Sequence, residues 1–306
     1  MRAKAIVKIC ICGTIALVLA SMLVSLLALP RVLDWKIGDL SFHWIDDHGG
    51  DEGYTVGEAS VSGEVRELDV SWLSGSVTVE LTDGDAVTLR EEPQPESSDA
   101  RMRWKLQDGN LTVYSQKSGL TIPTRAKQLT IGIPAGRAGK LQKLSLDLSA
   151  ASASLPALTL RELELDSVSG SVTLTGGSYE NLDFDSTSGD LTLTSAAVGE
   201  LSADTTSGSL TLGGAFETID FDTTSGALHL TTSILPQDIS CDTVSGGVTL
   251  TLPENGGFSA TLDSVSGDLT VDGFAGSLHR DEFVYGQGGP AYEFDSVSGD
   301  VRICCA

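Results

Sequence analysis

Residues 166–174 read DSVSGSVTL, and the phrase does not stay single. It returns as DSTSGDLTL from Asp185, DTTSGSLTL from Asp204, DTTSGALHL from Asp222, DTVSGGVTL from Asp242, DSVSGDLTV from Asp263 and DSVSGDVRI from Asp295. Successive starts lie 19, 19, 18, 20, 21 and 32 residues apart, and a degenerate copy, DLSAASASL, opens at Asp147. Recurrence at this period marks stacked supersecondary units, each unable to bury its apolar face alone.

Two short apolar runs flank every phrase corner. Leu163 and Leu165 stand just before Asp166, and Val172 and Leu174 follow it; the same offsets give Leu182 and Phe184 with Leu191 and Leu193, and Tyr292 and Phe294 with Val301 and Ile303. Alternation with a period of two means strands with one buried face. Tyr179, Val198, Phe216 and Leu235 mark a third, less regular side. Such a unit is too short for a helical crossover between parallel strands. Each phrase is therefore expected to stack on the one before it, about 4.8 Å away. The predicted fold is all-β, a single-stranded parallel β-helix (β-solenoid) with 18–21 residues per coil, wound right-handed as parallel crossovers are.

The Ser-Gly step is the corner. Gly170, Gly189, Gly208, Gly226, Gly246, Gly267 and Gly299 are expected either to take positive φ or to let backbones stack where a Cβ would clash. The serine before each glycine and the aspartate opening each phrase are expected to bond turn amides. Stacking aligns Asp166, Asp185, Asp204, Asp222, Asp242, Asp263 and Asp295 into a ladder of like charges. Backbone N–H groups are the expected compensation and bound calcium the alternative; the dense Gly-Gly-x-Gly-x-Asp pattern of calcium-binding rolls is missing. On the outward side of the second strand, Thr173, Thr192, Thr211, Thr249 and Thr270 make a hydroxyl array broken by His229 and Arg302. Strand propensity accounts for it; a flat match to a crystalline or glycan surface is the functional alternative.

Upstream the period blurs. LDVSWLSGSVTV, residues 68–79, repeats strand, corner and strand with Ser71 in the aspartate's place, and Asp108-Gly109 between alternating runs predicts a hairpin. Residues 58–140 are read as divergent first layers that cover an open sheet edge, with Trp72 and Trp104 as core aromatics, and residues 141–306 as the regular repeats. Before the last phrase, the 274–292 segment either folds over the final edge or leaves that edge open to end-to-end self-association.

Residues 1–30 read as a cytoplasmic tip and transmembrane signal-anchor. Ile9 to Leu29 are 21 apolar or small residues, about 31 Å of helix, which matches a bilayer's hydrocarbon core. A cleaved signal peptide is the competing reading. Arg2, Lys4 and Lys8 on the short side place the chain as a single-pass protein of the cell membrane with its C-terminal domain extracellular. Residues 31–57 are an acidic linker in which His43, Asp46, Asp47 and His48 are solvated rather than metal-ligating.

Composition narrows the function. Of 306 residues 41% are hydrophobic, ample for a core, and the net charge is −23. After the basic leader the remainder stands at 16 basic against 42 acidic side chains, which repels nucleic acid. Cys10, Cys12, Cys241, Cys304 and Cys305 form neither a disulfide framework nor a zinc pattern, and Cys241 reads as a core residue.

The TVGEASVSGEVRELDVSWLSGSVTVEL stretch (residues 55–81), the LTIGIP segment (129–134) and the D-[ST]-x-S-G-x-[VL]-x-[LV] phrases together resemble the DUF4097 family of adhesin-like β-strand-repeat proteins, over residues 56–306. The resemblance implies a repeat β fold at a Gram-positive envelope. It supplies no binding residues. The expected function is a non-enzymatic surface module, adhesive or structural, without cofactor, metal or catalytic residues, whose partner is a protein or glycan. A membrane-tethered envelope-stress accessory and a polysaccharide-acting β-helix enzyme are the alternatives; evenly spaced acids and serines without an adjacent base argue against the enzyme.

Overall fold

A computed structural model describes residues 50–118, 125–279 and 282–306, all within the unit Trp44–Ala306. The repeat strands pair in parallel and in register: Asp147 with Asp166, then Asp185, Asp204, Asp222 and Asp242 in turn. The inward positions meet as sharply, with Leu163, Leu182, Leu201, Ile219, Ile239 and Tyr292 in one column, none more than 1% exposed. Burying each such side chain contributes about 1.5–3 kcal/mol. The column is therefore the main source of stability.

Continuous winding is not what the chain does. Asp242 pairs with Asp295, and Asp295 pairs on its other side with Asp263. In the second strand, Val248–Leu252 pairs with Val301–Cys305, which pairs with Leu269–Asp272. The last phrase in the sequence is thus the penultimate coil in space. The opposite end repeats the device: Glu67–Thr82 lies between Lys143–Leu155 and the later strands Asn110–Tyr114 and Lys127–Pro134. Antiparallel strands complete both ends, Val87–Glu92 on Lys127–Pro134 and Glu282–Gly286 on Gly257–Ser264. The expected single-stranded β-helix is corrected to an all-β, mostly parallel rack of coils whose end slots are filled out of sequence order. The reason is geometric: every phrase has the same register against every other, and only the long interval before Asp295 lets the chain pass over one layer.

Apart from the 3-10 turns Ser98–Ala100 and Ala138–Lys140, the described residues contain no helix. Among them no helix is long and apolar enough to cross a membrane. The spanning segment expected at residues 9–29 lies outside the described residues, as do His43, Asp46, Asp47 and His48. The transmembrane helix as part of the fold, the membrane as partner, and the single-pass placement with an extracellular C-terminal domain are corrected accordingly, because no spanning helix among the described residues supports them.

Each end is closed by its own chemistry. Asp108 (φ 53°) and Gly109 (φ 88°) make the tight hairpin expected there, joining Arg103–Gln107 to Asn110–Tyr114. Beneath it Trp72, 1% exposed, donates from Nε1 to the Lys127 carbonyl at 3.0 Å. The Lys127 ammonium in turn pairs with the buried Glu91 at 2.7 Å and donates to the carbonyls of Ala100 and Ser115. Both Glu91 oxygens also accept the Met102 N–H, at 3.1 Å. A buried pair survives only when hydrogen-bonded in this way. At the far end the 274–292 segment folds back: Phe274, Phe283, Tyr285 and Tyr292 surround the fully buried Phe258 at ring-centroid distances of 5.0–5.9 Å. It covers the outer edge of Gly257–Ser264, whereas Leu269–Asp272 pairs with Val301–Cys305 alone.

The seven corner glycines take negative φ, so they serve by close approach. A Cβ on Gly208 would lie 2.0 Å from the Gly189 carbonyl oxygen, and one on Gly267 would lie 2.0 Å from that of Gly299. We expect Gly208→Ala to destabilise the protein by about 1–3 kcal/mol, the range for overpacking. Gly213→Ala, whose Cβ would come no nearer than 3.7 Å to its neighbours, should be near neutral. Denaturant midpoints of the two variants test this; equal midpoints would show that the stack yields at its corners.

Candidate interaction face

The corner phrase assigns a separate task to each polar position. The residue after the aspartate lies buried inside the corner: Ser186 Oγ accepts the Gly189 N–H at 2.6 Å and donates to the Gly189 carbonyl, and Thr223 and Thr243 accept the N–H of Gly226 and Gly246 at 2.8 and 2.7 Å. The serine before the glycine instead faces outward and ties coil to coil. Ser188 donates to the Val168 carbonyl at 3.1 Å, Ser207 to that of Thr187 at 3.2 Å, and Ser298 to that of Val244 at 3.3 Å. Each hydroxyl buried in a corner thus has a partner.

The phrase aspartates were expected to cap turn amides, but Asp166, Asp185, Asp204, Asp222 and Asp242 accept none. That task falls to carboxylates just past the glycine: Asp190 accepts the Ser209 N–H at 2.8 Å and Asp300 the Asp268 N–H at 3.0 Å. The phrase aspartates project from the sheet as a column at the strand spacing of about 4.8 Å. Glu164 and Asp183, adjacent in register two residues earlier, widen it. Partial burial first, and neighbouring carboxylates second, push Asp166 and Asp222 up to about 6. Asp185, Asp204 and Asp242 are raised for the same reasons in the same order. Lys143, paired with Glu162 at 3.1 Å and Glu164 at 2.6 Å, relieves the start of the column, reaching Asp183 but not Asp185, Asp204, Asp222 or Asp242.

Sequence supplies no counter-charge further along. Residues 162–306 hold 23 acidic side chains against Arg280 and Arg302, and Arg302 lies on the second strand, bound to Asp272 at 2.8 Å. That strand carries the expected hydroxyl ladder in register, Thr173, Thr192, Thr211, His229, Thr249, Arg302 and Thr270. Cys241 is buried between Phe221 and Phe294 in its column, and burial pushes its thiol well up, as suits a core residue. Among the described residues no three His, Cys, Asp or Glu side chains come together as metal ligands.

Parallel coils slotted side by side, with repeated corners and two flat outward ladders, define a toastrack of β-strands. The family model described as Toastrack DUF4097 matches residues 65–304, and the chain belongs to this family. The crystal structure named "Putative lipid binding protein" from Parabacteroides distasonis is similar at 15% identity and a TM-score of 0.51, covering 84% of this chain and 98% of that one. Two structures named "putative adhesin" are similar at 13% identity: one from Bacteroides fragilis (TM-score 0.41, covering 83% and 98%) and one from Parabacteroides merdae (TM-score 0.44, covering 84% and 98%). The first of these likenesses shows the fold. No curated protein matches the chain.

The raised carboxylates fix the sign of a pH effect. Asp166 and Asp222 hold protons up to about 6 when folded, against about 3.9 in an unfolded chain. Between those values the folded state binds more protons, so their contribution favours folding at the acid end and is lost as pH rises through about 6. Thermal melts should therefore rise as pH is lowered from about 7.5 to about 5, and Asp222→Asn should raise the neutral-pH melt while flattening the dependence. A lower neutral-pH melt for Asp222→Asn would mean the carboxylate is held by favourable contacts after all.

Proposed function

We propose that the chain is a non-enzymatic, adhesin-like surface module that engages a cationic partner through its carboxylate column. The observation that carries this reading is the in-register run Asp166, Asp185, Asp204, Asp222 and Asp242, raised in pKa and short of counter-charge. A face strained by its own repulsion gains most from a partner that brings positive charge, and the partner inherits a long-range attraction. The family membership supports a surface-display role, and the names of the similar adhesin structures agree with it.

A hydrolytic role fits less well. Catalytic carboxylates converge on one reacting atom beside an acid, base or cation. Here Asp185, Asp204, Asp222 and Asp242 repeat at equal spacing, and their shifts arise from burial and acidic neighbours alone.

Retention of the full chain on immobilised polylysine, compared with a neutral glycan array, tests the proposal. We expect polylysine binding that disappears near 0.5 M salt, where the screening length falls to a few ångströms, and that weakens about tenfold in the triple variant Asp185→Asn, Asp204→Asn, Asp222→Asn. Glycan binding unaffected by that variant, with no retention on polylysine, would overturn the carboxylate reading and transfer the role to the threonine ladder.

A further inference from the structure

We propose that a cavity in the first layers binds the carboxylate end of a short acyl chain. The cavity, about 240 Å³, opens between the 62–65 turn and the 134–141 turn. Its floor is apolar, built from Val65, Leu68, Val87, Ile133 and Leu141, and its charged lining is two cations, Arg137 and Lys140, against one carboxylate, Glu64. The volume falls below the ~300–1,000 Å³ of sites for drug-sized ligands, which limits the occupant to one short chain.

The choice of an anionic head follows from charge complementarity. Residues 109–146 contain six basic side chains and no acidic one, in a chain of net charge −23. Within that stretch, Arg137 and Lys140 are the two that reach this cavity. Arg137 spends one guanidinium nitrogen on the Ser62 carbonyl at 3.1 Å, leaving the rest of its donor fork for a ligand oxygen. Lys140 stands 4.0 Å from Glu64, both more than half exposed. A pair so open to water contributes little and yields to a better-placed anion. An alkyl chain on the apolar floor supplies the remaining affinity by removing water from it. The inference is independent of the carboxylate column, which lies on the repeat strands.

Calorimetric titration of the full chain with octanoate tests the assignment, with acetate, octanol and inorganic phosphate as parallel probes. Octanoate should saturate one site; acetate and phosphate, which lack the chain, and octanol, which lacks the charge, should each bind at least about tenfold more weakly. Lys140→Met, at an exposed position, should cost about tenfold in octanoate affinity, and Val65→Trp should abolish binding by filling the floor. Arg137→Met should also weaken binding, but it removes the Ser62 contact as well, so the decisive arm is Lys140→Met with an unchanged thermal melt. The proposal is overturned by absence of saturable octanoate binding, by octanol binding equally well, by phosphate binding equally well, or by full octanoate affinity in Lys140→Met.

Discussion

Backbone contact at the corners is the constraint on which the rest of the molecule depends. Each corner glycine sits so near the carbonyl oxygen of the coil beside it that no other residue fits without displacing backbone. That approach sets the spacing, and once the spacing is set the register follows for every residue on either side. Leucines then meet leucines, hydroxyls meet carbonyls, and aspartates meet aspartates. The first two alignments stabilise. The third costs, and it persists because it is carried by the same register that builds the apolar column. Stability and electrostatic strain are here two products of one geometry.

Much of this was legible in the sequence, and what was not has a physical explanation. Period-two alternation identified Leu163, Leu165, Val172 and Leu174 and their counterparts as core, and the phrase offset paired Asp147 with Asp166, as observed; Ser71, read as standing in the aspartate's place, lies opposite Asp147. The Asp-Gly hairpin was equally visible, because two consecutive positive-φ positions leave few residue choices. Coil order was not visible. Identical phrases carry no label saying which one is a neighbour, so the exchange of the last two coils had only the 32-residue interval before Asp295 as a signal. The roles of the polar corner residues were misassigned for a different reason. Aspartate, serine and threonine all bond turn amides, and only the inward or outward direction of each side chain decides which one does.

The buried pair Glu91 and Lys127 shows a third kind of limit. Nothing in the local sequence distinguishes these residues from the exposed charges around them. They are 36 residues apart and are joined only when Val87–Glu92 lies antiparallel to Lys127–Pro134. The apolar cavity with Arg137 and Lys140 is hidden in the same way, since Val65, Val87 and Ile133 come from three separate strands and turns. Sites assembled from the irregular layers are invisible to a reading based on repetition. The carboxylate column, made by repetition, is the opposite case: its members were named from the sequence, and only their strained environment needed the structure.

The out-of-order coil also imposes a schedule. A chain made from its N-terminus exposes the Asp242 and Asp263 phrases well before the Asp295 phrase that must lie between them. During that interval the two early phrases present matching edges to each other, and nothing in their own residues forbids direct union. Synthesis at ~5–20 residues per second leaves the gap open for a few seconds, long compared with strand pairing. Phe274 and Phe283 come out of the ribosome before that phrase, and in the folded protein Glu282–Gly286 lies on the outer edge of Gly257–Ser264. That edge faces away from Asp242, so the inner edge stays open, and the seam is complete only when the Asp295 phrase, which matches both neighbours in register, lies between them.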